Sequence, residues 1–363
     1  MDYTQERVAT LHDFGDADPS APTDRTAVVV PMTDRDAGGL AAERVFASLA
    51  TLDVARVVVP VRAPGDRIGS ILDWLDGFDL PLRPVWCNGP ELESFLADRG
   101  LAGEAGKGRD VWLGAALAGD ADYIALHDAD VTSHESRDLR KLVAPLAGDH
   151  SFVKGFYARV ENRRLYGRLY RLLYAPLVAA LTETHDAPLL SYLSAFRYAL
   201  AGELAMTADL ARSIRMPRRW GLEVGTLGAA FETVGFTGSA QVDLGRYEHE
   251  HRAVSGPNGL SAMAAGVAES LLRVVEDGGV VLDYGTLPDR YRSVADRFVR
   301  QYRADARFND LTFDESDERR QVETYAAAVA PPGEDDRLPA WEEATIDEAA
   351  LRAAIEADVN RVQ

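Results

Sequence analysis

The 363-residue sequence predicts an α/β protein with a mainly parallel central sheet, flanking helices and a helical C-terminal extension. Two observations carry the α/β core. Short β-branched runs alternate with segments of helical spacing through the first 150 residues, and those runs are apolar throughout, as strands covered on both faces must be. A third gives the extension: from about Thr312 the alternating charge is that of solvated helices.

Residues 1–25 are polar and predict a loosely ordered lead-in, rich in Asp, Pro, Ser and Thr between Asp16 and Arg25. The run Thr26–Pro31 (TAVVVP) is the first strand of the core. A helix over about 39–52, a strand at Ala55–Val61, a helix near Ile68–Leu75 and a strand at Leu82–Cys87 follow. Helices at about Glu91–Leu96 and Gly108–Leu117 precede Asp122–His127 (DYIALH), a strand that runs into acidic residues. Strands separated by helices imply right-handed crossovers and therefore parallel pairing. From Ser151 the rhythm changes. Phe152–Val160 reads as a strand, Arg164–Leu181 as a helix, Thr207–Ile214 and Val224–Val234 as helices, and Val242–Arg246 as a last strand before a mainly helical remainder. The resulting division is a lead-in (1–25), a nucleotide-binding half (26–150), a second half for acceptor and chemistry (151–280) and the extension (281–363), a candidate dimerisation element.

Charge excludes some partners. With 58 acidic against 39 basic residues the net charge is −19, which argues against nucleic acid, whose binding depends on neutralising phosphates. Only three of the basic residues are lysines, Lys107, Lys141 and Lys154. Such a surface fits a saline cytoplasm, where screening is strong, and equally a codon bias toward arginine. Cys87 is the single cysteine, so neither an intrachain disulfide nor a cysteine zinc site can form, and a cytoplasmic location is the expectation. The apolar stretch Leu172–Leu181 is far short of the roughly 20 residues needed to cross a bilayer.

In an open parallel sheet, ligands bind beyond the carboxyl ends of the strands. Asp128-Ala129-Asp130 stands at such an end, and two carboxylates one residue apart can hold a divalent cation and through it a diphosphate. By itself the pair is equally a solvated turn. Gly106-Lys107-Gly108 opens the helix leading to that strand, where glycines permit close backbone approach and a lysine at a helix start favours an anion. The segment Tyr247–Arg252 (YEHEHR) follows an apolar strand and offers His249 as a further ligand. Carboxylate and imidazole together suit Mg2+ or Mn2+.

The order of these pieces is more specific than any one of them. The stretches GKGRDVWLGAALA, DYIALHDADV, FVKGFYARV, AGELA, WGLEVGTLGAAFETVG and QVDLGRYEHEHR, spread over residues 26–255, resemble the NDP-sugar glycosyltransferases of GT-A fold. More narrowly, they resemble the glucosyl-3-phosphoglycerate and mannosyl-3-phosphoglycerate synthase family. The resemblance implies that Pro31, Met32 and Thr33 line the nucleoside pocket, with Gly106 and Lys107 at the nucleotide end of the donor. It implies that Asp130 coordinates the metal together with His249, Asp128 and Ala129 lying on the ribose and diphosphate side. Gly167 and Arg168 match acceptor-holding positions, and Glu223 matches a glutamate near the reacting sugar. Two departures stand out. The family's acidic, serine-rich loop after the second strand is Pro60-Val61-Arg62-Ala63 here, and a family threonine that contacts the acceptor phosphate is Tyr170.

These readings predict a metal-dependent glycosyltransferase that moves a hexose from an NDP-sugar, UDP-glucose or GDP-mannose, to a small anionic acceptor such as 3-phosphoglycerate or glycerate, in making a compatible solute. The resemblance further implies retention of configuration and a homodimer. The rivals are the same fold with a sugar or lipid acceptor, a nucleotidyltransferase, and a sugar-nucleotide-binding protein without catalysis.

Overall fold

The computed structural model describes residues 5–250 and 259–362. Its strands, in chain order, are β1 (Ala9–Leu11), β2 (Thr26–Val29), β3 (Met32–Thr33), β4 (Arg56–Arg62), β5 (Leu82–Trp86), β6 (Tyr123–Leu126), β7 (Phe152–Ala158), β8 (Val160–Glu161), β9 (Arg164–Leu165), β10 (Leu204–Thr207) and β11 (Ser239–Arg246). Nine of them form one sheet, running from β5 through β4, β2, β6, β10 and β7 to β11 and β1, with β3 continuing β2 along β4. β8 and β9 make a separate hairpin. All pairings in the large sheet are parallel except those of β10, which lies antiparallel between β6 and β7.

Side-chain alternation explains the apolar runs. In β2, Ala27 and Val29 enter one core while Val28 and Val30 enter the other, so a strand covered on both faces has no polar side to show. Helices Leu40–Leu49, Gly65–Leu75 and Ser136–Val143 cover one face; Pro90–Ala97, Lys107–Ala116 and most of the later helices cover the other.

Three expectations are corrected. The lead-in is not loose throughout, because Ala9–Leu11 pairs in parallel with Ala240–Val242 and closes the sheet edge as β1. Beyond it, Asp13, Asp16 and Asp18 pair with Lys141, Arg137 and Arg140 of the Ser136–Val143 helix. The continuous helix over Arg164–Leu181 is interrupted. Gly167 takes a φ of +74°, residues Leu169–Tyr174 form a wide π-type turn, and the regular helix starts only at Ala175. Pro176 lacks the N–H that an α-helical turn would need there, which accounts for the widened turn before it. Third, the C-terminal helices are solvated on one side only and pack a narrow apolar face against the body. Trp341 stacks on Trp112 with centroids 3.9 Å apart, and each indole donates to a backbone carbonyl across the contact. Asp358 is fully buried and accepts the Glu91 and Leu92 amides, capping the Pro90–Ala97 helix from more than 260 positions away. Among the described residues no helix is long and apolar enough to cross a membrane.

Candidate active site

The carboxyl ends of β2 and β6 open into a cleft of about 770 Å³. β6 delivers Asp128-Ala129-Asp130 to its floor. The antiparallel direction of β10 brings the segment before it, Gly202-Glu203, to the same end of the sheet. Gly202 is packed so closely there that a Cβ would lie 2.1 Å from an Asp128 carboxylate oxygen, so any side chain would displace that carboxylate.

Lys107, at the first turn of its helix, reaches across to two acids. Its Nζ lies 2.7 Å from Asp128 Oδ1 and donates to Glu223 Oε1 at 3.0 Å. Burial alone would favour the neutral amine, but Asp128 and then Glu223 outweigh it and hold Lys107 protonated. Burial likewise opposes charge on Asp128, yet Lys107 keeps its carboxyl below the usual range. Asp130 has no such partner at hand, and burial together with Asp128 pushes its carboxyl up to about 7. Further back, burial and Asp128 push Glu203 up to about 8, while burial draws Lys154 down to about 8.

Glu223 owes its position to Gly221, whose φ of +93° starts the Leu222–Thr233 helix and whose missing side chain leaves room for Ser270. His249 is brought in by backbone. Thr132 donates to the Glu248 carbonyl and Glu250 to the Asp130 carbonyl, a short antiparallel ladder that lays His249 against Val131 and beside Asp130. His251 and Arg252 lie outside the described residues.

Several expected residues do line the cleft: Pro31, Met32 and Thr33 along β2 and β3, then Lys107, Asp128, Ala129, Asp130, Glu223 and His249, with Gly167, Arg168 and Tyr170 at the opposite end. Three of these positions have protein partners that the resemblance did not imply. Gly106 and Gly108 each approach another segment of the chain: a Cβ on Gly106 would meet Arg219 Cα at 2.7 Å, one on Gly108 the Pro217 carbonyl at 1.7 Å. The first amides of that helix are also occupied, since Gly108 and Arg109 donate to the Arg219 and Arg218 carbonyls. Arg168 is held by Asp317 and Glu318 of the C-terminal extension. The Tyr170 hydroxyl donates to the Phe196 carbonyl at 3.2 Å, so the tyrosine is anchored to backbone.

Other cleft residues were not singled out by sequence reasoning. Tyr157 and Tyr198 form an aromatic wall with Tyr170, at centroid distances of 5.0 and 4.9 Å, and Tyr157 lies 5.7 Å from the His249 ring. Arg159 lines the cleft, and its Nε is buried without a hydrogen-bond partner among the described residues. Tyr157 and Arg159 both belong to FVKGFYARV, so polar and aromatic residues at the end of a buried strand were the available signal. Arg62 also faces the cleft and donates to the buried Asp110.

Among the described residues, no three His, Cys, Asp or Glu side chains form a set that could hold a metal by themselves. Asp130 and His249 nevertheless fit a partial set. They share the cleft, offer a carboxylate oxygen and an imidazole nitrogen, and the Asp130 carboxyl is under an electrostatic penalty that a cation would relieve.

No protein-family model matches the chain. Among characterised proteins it is 30% identical to glucosyl-3-phosphoglycerate synthase of Methanococcoides burtonii, over 94% of this chain and 93% of that one. It is 34% identical to the enzyme of the same name from Persephonella marina, over 74% and 70%. Among solved structures, its fold is similar to glucosyl-3-phosphoglycerate synthase of Mycobacterium tuberculosis in complex with Mn2+, UDP and phosphoglyceric acid. That match has a TM-score of 0.56 and 22% identity over 76% of this chain and 88% of that one. The same enzyme with Mn2+, UDP-glucose and phosphoglyceric acid matches with a TM-score of 0.57, also at 22% identity, over 76% and 89%. Extensive coverage at 30% identity, joined to the shared fold, establishes that this chain is a glycosyltransferase and belongs to the glucosyl-3-phosphoglycerate synthase family.

Proposed function

We propose that this chain transfers glucose from a nucleoside diphosphate to the 2-hydroxyl of 3-phosphoglycerate, in the cleft between β2, β6 and the Leu222–Thr233 helix, as a step in making a compatible solute. The observation that carries this reading is the convergence of Lys107, Asp128, Asp130, Glu223 and His249 from four separated segments on one cleft. Its names and ligands come from relatives. The curated relatives are called glucosyl-3-phosphoglycerate synthases, and the solved neighbour holds UDP-glucose, Mn2+ and phosphoglyceric acid.

In this reading Asp130 and His249 hold Mn2+ or Mg2+, with the donor diphosphate completing the shell; the cation supplies charge stabilisation for the departing diphosphate. Lys107 adds a fixed positive charge at the same end of the cleft. Asp128, committed to Lys107, orients that ammonium and faces the ribose. Glu223 sets the other side of Lys107 and hydrogen-bonds the sugar. The tyrosine wall offers a flat apolar face to the hexose, and Arg159 and Arg168 supply cationic contacts for a carboxylate and a phosphate. Retention of configuration, a homodimeric assembly and a cytoplasmic setting among phosphorylated metabolites belong to the same proposal.

The test is a product assay with UDP-glucose, 3-phosphoglycerate and Mn2+, read by mass spectrometry and by the anomeric proton coupling of the product. A glucosyl phosphoglycerate with α-configuration and one UDP released supports it; hydrolysis alone, or pyrophosphate from a nucleoside triphosphate, overturns it. One observation favours a second reading of the donor: Arg62 stands where the family carries acidic residues, and an arginine can pair with purine acceptor edges. Running GDP-glucose beside UDP-glucose decides the base.

A further inference from the structure

Arg168 is held by two adjacent carboxylates that differ in depth. Glu318 is buried and bridges two arginines, accepting Arg168 Nε at 2.8 Å and Arg171 Nη1 at 2.8 Å. Arg171 is itself fixed by donating to the Leu165 and Tyr166 carbonyls. Asp317 is 39% exposed, lines the cleft, and pairs with an Nη nitrogen of Arg168. It also has a second partner, since Arg320 Nη2 donates to its Oδ1 at 3.0 Å.

Bidentate capture of a carboxylate or phosphate through both Nη nitrogens of Arg168 needs the Nη2 that Asp317 occupies, because two anions cannot share that donor in the same fork. Glu318 would keep the Nε side in place meanwhile, so Arg168 does not lose its orientation. Asp317 would not be left unpaired either, because Arg320 remains. We propose that Asp317 is an internal competitor for the acceptor: it occupies Arg168 in the empty site and is displaced when the anionic acceptor binds, setting acceptor affinity and disfavouring weakly charged acceptors. This rests on the reading of Arg168 as an acceptor-binding residue, and it assigns to the C-terminal extension a direct part in substrate selection.

The two neighbours should therefore respond in opposite directions. Asp317→Asn keeps the shape and removes the competing charge, so the KM for 3-phosphoglycerate falls about two- to fivefold, the worth of a partly exposed ion pair. The KM for the glucose donor does not follow. Glu318→Gln loosens Arg168 and raises the KM for 3-phosphoglycerate about tenfold. Arg168→Ala raises it at least as much. Steady-state kinetics with UDP-glucose or GDP-glucose, whichever supports turnover, and Mn2+ give these values. Calorimetric titration of 3-phosphoglycerate into protein with UDP and Mn2+ gives the same ordering without turnover, and Asp317→Ser repeats the charge removal should the asparagine variant not fold. If Arg168→Ala weakens the acceptor but Asp317→Asn and Asp317→Ser leave its KM unchanged or raise it, the competition is refuted while the acceptor site stands. If Arg168→Ala leaves acceptor KM unchanged, the placement of the acceptor is refuted, and the competition with it.

Discussion

The two ends of the cleft are built on different plans. At the end proposed for the donor, charges are half-buried, adjacent and close in chain order to a strand terminus: Asp128 and Asp130 follow β6, and Lys107 opens the helix before it. At the acceptor end, Arg168 depends on residues almost 150 positions later, from a helix outside the sheet altogether. On the proposed placement, the donor end is built on the sheet while the acceptor end draws on the C-terminal extension, so acceptor selectivity could change without touching the groups that face the diphosphate.

The largest effect is expected at the donor end. Asp130→Asn should lower kcat by about 1,000-fold. Its melting temperature should stay at or above that of the parent, because a carboxyl disfavoured by burial has been replaced by a neutral group. A rate within tenfold of the parent would remove Asp130 from the chemistry. Lys107→Met should reduce kcat by about 100-fold. It should also destabilise the fold, since Asp128 and Glu223 lose their shared counter-ion in a buried place, so here the melting temperature falls.

A third measurement is pH. The Asp130 carboxyl ionises at about 7 in the folded chain against 3.8 for an ordinary aspartate. The folded state therefore binds more protons than the unfolded one between those values, and this group's contribution to stability declines as pH rises from about 4 to about 7. A cation must displace the same proton. Mn2+ affinity, measured by calorimetry, should rise about tenfold per pH unit below 7 and flatten above it. Affinity independent of pH over that range would exclude Asp130 as a ligand. The smallest effect belongs far from the cleft: Asp358→Ala removes the cap on the Pro90–Ala97 helix, costing about 1 kcal/mol of stability with no change in either KM. A shift in acceptor KM there would mean that the extension acts on the site as a whole and not through the Glu315–Ala326 helix.

The same contrast explains what the sequence could disclose. β2, β4 and β6 were legible because a strand buried on both faces leaves an unbroken apolar run, and the acids after β6 were legible because chain proximity to a strand end is spatial proximity to the cleft. β10 escaped because four residues between a glycine-containing turn and a helix carry no period of their own; its pairing is decided by neighbours on both sides. Gly106 and Gly108 were read for a ligand alone: a glycine reports that something approaches, and here the backbone of Pro217–Arg219 does so. The scarcity of lysine drew attention to Lys107, which lies in the cleft between Asp128 and Glu223. Lys141 and Lys154 are buried, one paired with Asp13 and the other donating to the Ala201 carbonyl. No lysine among the three is an ordinary surface charge.

The edge strand β1 has a consequence for how the chain is made. Its partner in β11 is synthesised more than two hundred residues later, so β1 has nothing to pair with along that edge until β11 has been made. Closing that edge cannot precede the synthesis of β11. Until it happens β11, the strand leading to His249, presents its free N–H and C=O groups to any extended segment nearby. Shortening the chain past Leu11 would make that exposure permanent, and such a protein is expected to aggregate through the β11 edge.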